Sequence, residues 1–419
     1  MRQPKGATVR IRADVRSTII PTNNTISNKM KTIFGVVAAL LAACLVVSPA
    51  VAAEPPLNKR LREEVLMIPT GSGIFSVKLE TTLFRPPGDG PFPVLIMNHG
   101  KAPGIPAFQD RYRGIVIATE FVRRGYAVVL PMRKGFSKSG GLYVDGGCNI
   151  AGNGNAQADD VEAVLNYVLQ QPWSDKESII IMGQSHGGLT TMAFGARNPP
   201  HVKALLNFAG GLRYDATGCV WKTALVDAFG RYGSTTHIPS LWFYGENDSY
   251  FNPEVVAKMY EAYTSAGGQA RLVAYGPFKS DAHGMSGSRD GIPIWWPPTE
   301  ALLKELGLPT TKSVVLTGEL PKSDFAKLED SAAVPYLSQK TREMYEKFLT
   351  YSSPRAFAIS RSNHVGWASQ AEDPSARALQ NCQKMSPDPC ALYAIDEDVV
   401  WQGQGGDSSP TQAGPQAER

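Results

Sequence analysis

The chain has 419 residues, 43% hydrophobic and 19% charged. That is enough to bury one large core and a smaller second one, and the balance excludes a collagen, a coiled coil or a mainly disordered chain. The formal charge of +4 is unevenly spread, because residues 1–53 hold seven Lys/Arg against one Asp and leave a body of net −2. A mildly acidic body without a basic stripe argues against nucleic acid as a partner.

Residues 1–53 read as a leader. Lys29 and Lys31 precede an apolar run from Ile33 to Val47, followed by Ser48-Pro49-Ala50-Val51-Ala52-Ala53. A basic flank, a short apolar run and an A-x-A site describe a secretory signal peptide, and Met30 gives it a compact start. The run is short for a membrane span. Leu41-Ala42-Ala43-Cys44 resembles the bacterial lipobox, so lipid anchoring at Cys44 and an uncleaved anchor stand as minor alternatives to soluble export into the periplasm or medium.

Export leaves four cysteines, Cys148, Cys219, Cys382 and Cys390, with three possible pairings. Closeness in sequence and the division described below favour Cys382 with Cys390 and Cys148 with Cys219. Both bonds would persist in an oxidising compartment, and buried thiols are the alternative. No Cys-x-x-Cys or His-x-x-x-His pair occurs, so neither metal nor organic cofactor is expected.

From residue 54 to about 310, strands alternate with amphipathic helices. Strands are expected at Glu64–Ile68, Phe75–Phe84, Pro93–Met97, Ala127–Pro131, Ser178–Met182, Ala204–Phe208, Ser240–Tyr244 and Arg271–Tyr275. The later ones each hand over to a helix, which implies right-handed crossovers in a mostly parallel sheet. Val161, Val164, Leu165, Val168 and Leu169 form one helical stripe, and Asp159 and Asp160 are placed in its first turn, at the positive dipole end. Asn252 can cap a helix whose first residue is Pro253, closed by Gly267-Gly268. Residues 211–238, with Trp221 and Tyr232, are expected to form a cap element.

After Pro309 the pattern changes. Residues 311–354 read as a linker with one helix near Ser338–Leu349. Residues 355–402 read as a small module, with strands at Ala356–Ile359 and Leu392–Ile395, a short one at Val399–Trp401, and a helix at Ser375–Cys382. So small a core suits a Cys382–Cys390 staple. The tail over 403–419 has little to bury.

The strongest chemical signal is Gly183-x-Ser185-x-Gly187, directly after the apolar run Ile179-Ile180-Ile181-Met182 and before the helical Leu189, Met192 and Ala193. A sharp strand-to-helix turn lifts the serine above the sheet edge, and the backbone N–H of His186 can face a developing oxyanion. An acid and then a histidine should follow. Asp248 stands just beyond one strand and His283 beyond the next, 63 and 35 residues apart in that order. Ser185 is then the nucleophile, His283 the base and Asp248 the group that holds the imidazole. Glu246 is the rival acid, and Asp281 is a loop-capping residue. The second oxyanion donor is placed after the Pro93–Met97 strand, in Asn98-His99-Gly100-Lys101, at the backbone N–H of Lys101. His99 is structural, and Arg133-Lys134-Gly135-Phe136-Ser137-Lys138-Ser139-Gly140-Gly141 is a shaping loop without a phosphate-binding pattern. Ala151-Gly152-Asn153-Gly154-Asn155 lacks the context of a dinucleotide site.

Asn98-His99-Gly100, Arg133-Lys134-Gly135-Phe136-Ser137, Gly183-Gln184-Ser185-His186-Gly187-Gly188, Gly245-Glu246-Asn247-Asp248 and His283-Gly284 together resemble the α/β-hydrolase superfamily. Within it they are most similar to secreted dienelactone hydrolase-like and prolyl-oligopeptidase-type serine esterases. The resemblance covers roughly residues 60–310. It implies a mostly parallel eight-stranded sheet with helices on both faces, the Ser185, Asp248 and His283 triad, and an oxyanion hole from the Lys101 and His186 main chains. Dienelactone hydrolases proper use cysteine where this chain has Ser185, which favours general ester chemistry.

The expected activity is therefore hydrolysis of a small carboxylic ester through an acyl-enzyme, without a cofactor. The alternatives are a prolyl-oligopeptidase-like peptidase and a non-catalytic exported binding protein on a hydrolase scaffold.

Overall fold

The computed structural model describes residues 57–403 apart from 72, 74, 75, 317–319, 352, 353, 370 and 372. The leader over 1–53, including Cys44, and the tail from 404 onward lie outside the described residues.

Eight strands build the main sheet: β1 Glu64–Thr70, β2 Val77–Phe84, β3 Phe92–Asn98, β4 Ala127–Pro131, β5 Ser174–Gln184, β6 Val202–Phe208, β7 Ser240–Gly245 and β8 Ala270–Tyr275. Their spatial order is β1-β2-β4-β3-β5-β6-β7-β8. β2 is antiparallel to both β1 and β4, and the remaining neighbours are parallel. The parallel strands read as unbroken apolar runs because helices cover both faces. Val94, Ile96, Ile179 and Ile181 point into one core, while Leu95, Met97, Ile180 and Met182 point into the other. Helices α2 Ile150–Val168, α3 His186–Gly195, α4 Trp221–Gly233 and α5 Pro253–Ser265 supply the first core. Helices α1 Ile115–Val122 and α6 Ile292–Glu305 supply the second, with Phe121 and Trp295 among its largest buried side chains.

Two expectations are corrected here. Helix α2 starts at Ile150, where the Asn149 side chain accepts the Gly152 N–H at 2.9 Å, so Asp159 and Asp160 lie in its middle and not in its first turn. Gly152 and Gly154, set aside above as a dinucleotide site, are inside the helix. A Cβ on Gly154 would stand 2.3 Å from the Tyr232 hydroxyl and 3.2 Å from the Ala193 Cβ, so the residue is small because two other helices press on it. Second, the helical part of residues 211–238 is not a cap. Their helix, α4, is a crossover packed on the sheet with α2, α3 and α5, and Tyr232 is buried there with its hydroxyl donating to Ala151 O at 2.9 Å.

The stretch after α6 is held against the main sheet's second core. The Ser313 and Val314 N–H groups donate to Arg123 O, Lys312 pairs with Glu120, and Leu316 is buried there. Beyond it, β9 Arg355–Ile359, β10 Val365–Ser369, β11 Ala391–Ile395 and β12 Asp398–Val399 form a second sheet, in the order β10-β9-β11-β12 with all pairs antiparallel. Helix α7 Gln339–Leu349 contributes Tyr345 and Phe348 to a core with Phe357, Ile359 and Tyr393, and helix α8 Pro374–Gln383 packs Ala378 and Cys382 against Ala356 and Ala358. The buried Arg355 donates to the carbonyls of Phe348, Leu349 and Tyr351, satisfying the C-terminal end of α7. Strand β10 is not among the expected elements. Its Gly366 lies against α8, where a Cβ would stand 2.2 Å from Cys382 N. Disulfides join Cys148 to Cys219 and Cys382 to Cys390. Among the described residues no helix is long and apolar enough to cross a membrane.

Candidate active site

The site is built where β5 turns into α3. Ser185 sits between them at φ 56°, ψ −123°, a region costly for a side chain with a Cβ, on the order of 1–3 kcal/mol. Its backbone is held from several sides. Ser185 N donates to Phe208 O at 2.9 Å, and Ser185 O accepts from Gly188 N, Leu189 N and Gly211 N at 2.8, 3.2 and 3.0 Å. The flanking glycines are there because backbone fills the space. A Cβ on Gly183 would lie 2.0 Å from Gly187 O, and one on Gly187 would lie 2.0 Å from Asn98 O. The serine itself is half-buried, and its hydroxyl makes no hydrogen bond among the described residues.

Asp248 and His283 meet. His283 Nδ1 is 3.0 Å from Asp248 Oδ2 and 3.1 Å from Oδ1, and the Asp248 carboxylate is fully buried. Asp248 Oδ1 also accepts the N–H groups of Tyr250 and Phe251 at 2.8 and 3.0 Å, which fixes the carboxylate's position. The imidazole lies against the Tyr250 ring at 4.4 Å. The histidine turn is joined to the serine turn by Gln184 Nε2, which donates to His283 O at 3.0 Å. Glu246 is exposed. Asp281 caps the short helix Ala282–Gly287 by accepting His283 N and also takes the Ser249 hydroxyl at 2.7 Å. Burial works against its charge, but these hydrogen bonds hold its carboxyl below the ordinary value.

The loop after β3 closes the other side. A Cβ on Gly100 would stand 3.3 Å from Ser185 Cβ and 2.6 Å from Gln184 Oε1, so glycine lets this backbone approach the serine. Neither the Lys101 N–H nor the His186 N–H donates a hydrogen bond among the described residues. The second belongs to the first turn of α3, at its positive end.

Behind these loops lies a buried polar network that joins the loops after β3 and β4 to α2 and the serine turn. Arg133 N donates to His99 Nε2 at 3.2 Å, leaving His99 Nδ1 to donate to Gly100 O at 2.7 Å. Arg133 Nη2 approaches His186 Nδ1 at 3.1 Å, and since arginine has only hydrogens to offer, His186 carries its proton on Nε2 and gives it to Asn153 Oδ1 at 2.7 Å. Asn153 Nδ2 in turn donates to the Tyr143 hydroxyl and to Val144 O. Burial first, then the neighbouring Arg133 charge, holds both histidines well below the ordinary imidazole value. His99 and His186 are thus neutral scaffolding. The one sequence signal for Arg133 was a charged residue closing the apolar run Ala127–Met132. Asn153 had none, being hidden between two glycines. Among the described residues, no group of three His, Cys, Asp or Glu is arranged to hold a metal ion.

The strand order, with its antiparallel β2 and a strained serine between β5 and the next helix, is that of an α/β-hydrolase. Residues 73–235 match the model of the X-Pro dipeptidyl-peptidase (S15) family, in keeping with the α/β-hydrolase fold. A curated relative, the cocaine esterase of Rhodococcus sp. (strain MB1 Bresler), is 31% identical over 146 residues, which make up 33% of this chain and 22% of that protein. The chain therefore matches about a fifth of that relative's length. Among solved structures, the esterase Pf2001 of Pyrococcus furiosus is 18% identical with a TM-score of 0.43, covering 60% of this chain and 96% of its own. Dipeptidyl peptidase 4 of Porphyromonas gingivalis is 20% identical with a TM-score of 0.45, covering 58% of this chain and 35% of its own.

Proposed function

We propose that the protein is an exported serine hydrolase that cleaves carboxylic esters through an acyl-enzyme. The observation that carries this reading is the Asp248–His283 pair, set at the same sheet edge as a strained, half-exposed Ser185. In the first step Ser185 Oγ attacks the ester carbonyl carbon while His283 Nε2 takes the hydroxyl proton. The carbonyl oxygen becomes an oxyanion and receives the Lys101 and His186 main-chain N–H groups, each donor contributing about 3–4 kcal/mol. Collapse expels the alcohol, which leaves with the proton from His283. Water then repeats the sequence on the acyl-serine, with His283 again as base. Asp248 keeps the proton of neutral His283 on Nδ1 and stabilises the imidazolium. In this reading residues 54–310 carry the chemistry, and the small sheet over 355–402 forms a second module together with α7 of the preceding segment. The two disulfides and the leader pattern support export.

The match to the X-Pro dipeptidyl-peptidase model favours a second reading, a serine peptidase with the same nucleophile. A panel of p-nitrophenyl esters of rising acyl length, run beside an X-Pro p-nitroanilide and a Ser185→Ala variant, separates the two. Ester turnover that vanishes with the serine is the expected result. Faster cleavage of the anilide would move the peptidase ahead. Failure of both, with no fluorophosphonate label on Ser185, would leave a binding protein on a hydrolase scaffold.

A further inference from the structure

Arg133 stands two residues beyond the end of β4 and is wholly buried. Its Nη2 donates to His99 O at 2.7 Å and to His186 Nδ1 at 3.1 Å, and its Nε faces Gln157 Oε1 at 3.3 Å. Among the described residues no carboxylate lies within ion-pair distance of it, and Nη1 has no hydrogen-bond partner. Its guanidinium stands 5.5 Å from the Phe136 ring. Burial brings its pKa down to about 10, partly opposed by the more distant Asp160, so it is still charged at neutral pH.

A buried cation without a direct counter-ion costs several kcal/mol, and burying a neutral residue of the same shape would avoid that. What the charge does hold is informative. His99 O belongs to the peptide that leads into Gly100 and Lys101, and the His186 ring belongs to the residue whose own N–H opens α3. A single nitrogen therefore bonds to both loops that bring main-chain donors to Ser185.

We propose that Arg133 is the positioning residue of the oxyanion hole: by gripping His99 O and the His186 ring with one nitrogen, it fixes the spacing of the Lys101 and His186 N–H groups and sets a permanent positive charge beside them. The inference rests on the acyl-enzyme reading above. Such donors act because they are already aimed at the place where negative charge develops. Slack between the two loops costs little in binding the planar ester and much in the tetrahedral state.

The test uses the full chain as wild type, Arg133→Met and Arg133→Lys, with p-nitrophenyl acetate as substrate and an aryl trifluoromethyl ketone as inhibitor. The ketone accepts Ser185 Oγ at its carbonyl carbon and carries the resulting alkoxide into the same donors. Arg133→Met should lower kcat about 100-fold with KM within about threefold, and weaken the ketone in proportion to the loss in kcat. Arg133→Lys keeps a charge without the fork and should fall between. A kcat within about threefold of wild type, or a loss carried by KM with the ketone unaffected, overturns the proposal. Should neither variant fold, ¹⁵N-histidine NMR on the wild type decides. The clamp requires neutral His186 protonated on Nε2 and neutral His99 protonated on Nδ1, and a His186 proton on Nδ1 or an imidazolium at either residue overturns it. A wild type that turns over no ester and takes no label at Ser185 sinks the esterase reading instead, and the histidine tautomers still report on the clamp.

Discussion

Arg289 Nε lies 2.8 Å from Asp396 Oδ2, so the short turn that follows the His283 helix is tied to the loop between β11 and β12 of the small sheet. Asp396 Oδ1 also accepts Arg355 N at 2.9 Å, which anchors the acid within its own sheet. The small sheet thereby supports the segment that presents the proposed base. The arginine is about two-fifths exposed, so the bond is a modest one of about 0.2–1 kcal/mol. Arg289→Ala should lower kcat on a p-nitrophenyl ester by no more than about fivefold and leave KM alone. A loss of activity matched by a large fall in Tm would mean that the bond serves folding and not the histidine turn.

Asp248 is placed to orient His283 and to stabilise its cation, and its backbone donors do not depend on that partner. Asp248→Asn should keep the fold and lose on the order of 10⁴ in kcat, because the amide favours the wrong imidazole tautomer. Steady-state kinetics with a thermal melt checks this, and a variant within tenfold of wild type would remove Asp248 from the triad.

Gly187 tests the turn that lifts the serine. A methyl group there would meet Asn98 O at 2.0 Å, and that oxygen belongs to the strand end preceding the Lys101 loop. Gly187→Ala should therefore separate the two sides of the site and cost about 100-fold in kcat/KM. The rate of fluorophosphonate labelling should fall with it. Unchanged labelling would show that the loops absorb the methyl group without moving.

Glu63 makes the chain acid-sensitive far from the site. It is buried and bonded to Arg113 Nε at 2.7 Å, to Arg111 at 2.8 Å and to the Asn58 N–H at 2.6 Å. Desolvation alone would raise its pKa, but these donors outweigh it and the folded-state value is depressed from 4.5. Stability from the network is therefore fully present above that ordinary value and is lost as pH falls through the depressed one. Glu63→Gln should cost about 3–5 kcal/mol at neutral pH, since it leaves a buried guanidinium without its counter-charge, and should flatten the acid limb of Tm against pH. An acid limb of unchanged slope would place the sensitivity elsewhere, with Glu120 the next buried carboxylate of lowered pKa.

The parts of the fold that were legible in the sequence are those whose cause is local. The main-sheet strands showed as apolar runs, and the Ser185 turn was visible because its glycines and strand lie within ten residues. Asp248 and His283, which the structure brings within 3.0 Å of each other, could be singled out because each follows a strand end. What was hidden depends on distant neighbours. Gly154 is small because Tyr232 and Ala193 crowd it, so the start of α2 at Ile150 did not show and the helix was expected to begin near Asp159. Strand β10 was masked by Gly366, whose lack of a side chain answers to α8. Arg133 looked like a loop cation, since its partners His99 and His186 lie 34 and 53 residues away.

The Cys148–Cys219 bond closes a covalent ring of chain that contains α2, β5, Ser185, α3 and β6. A protease that cuts the exposed stretch around Asp215–Gly218 opens the ring without releasing either end, so the nicked chain still migrates as one species until a reductant is added. In the compartment where the bond forms, a single cleavage inside the ring, between Cys148 and Cys219, therefore does not sever the serine from its histidine. Within the ring, two cuts, or one cut and a reductant, are needed to part them.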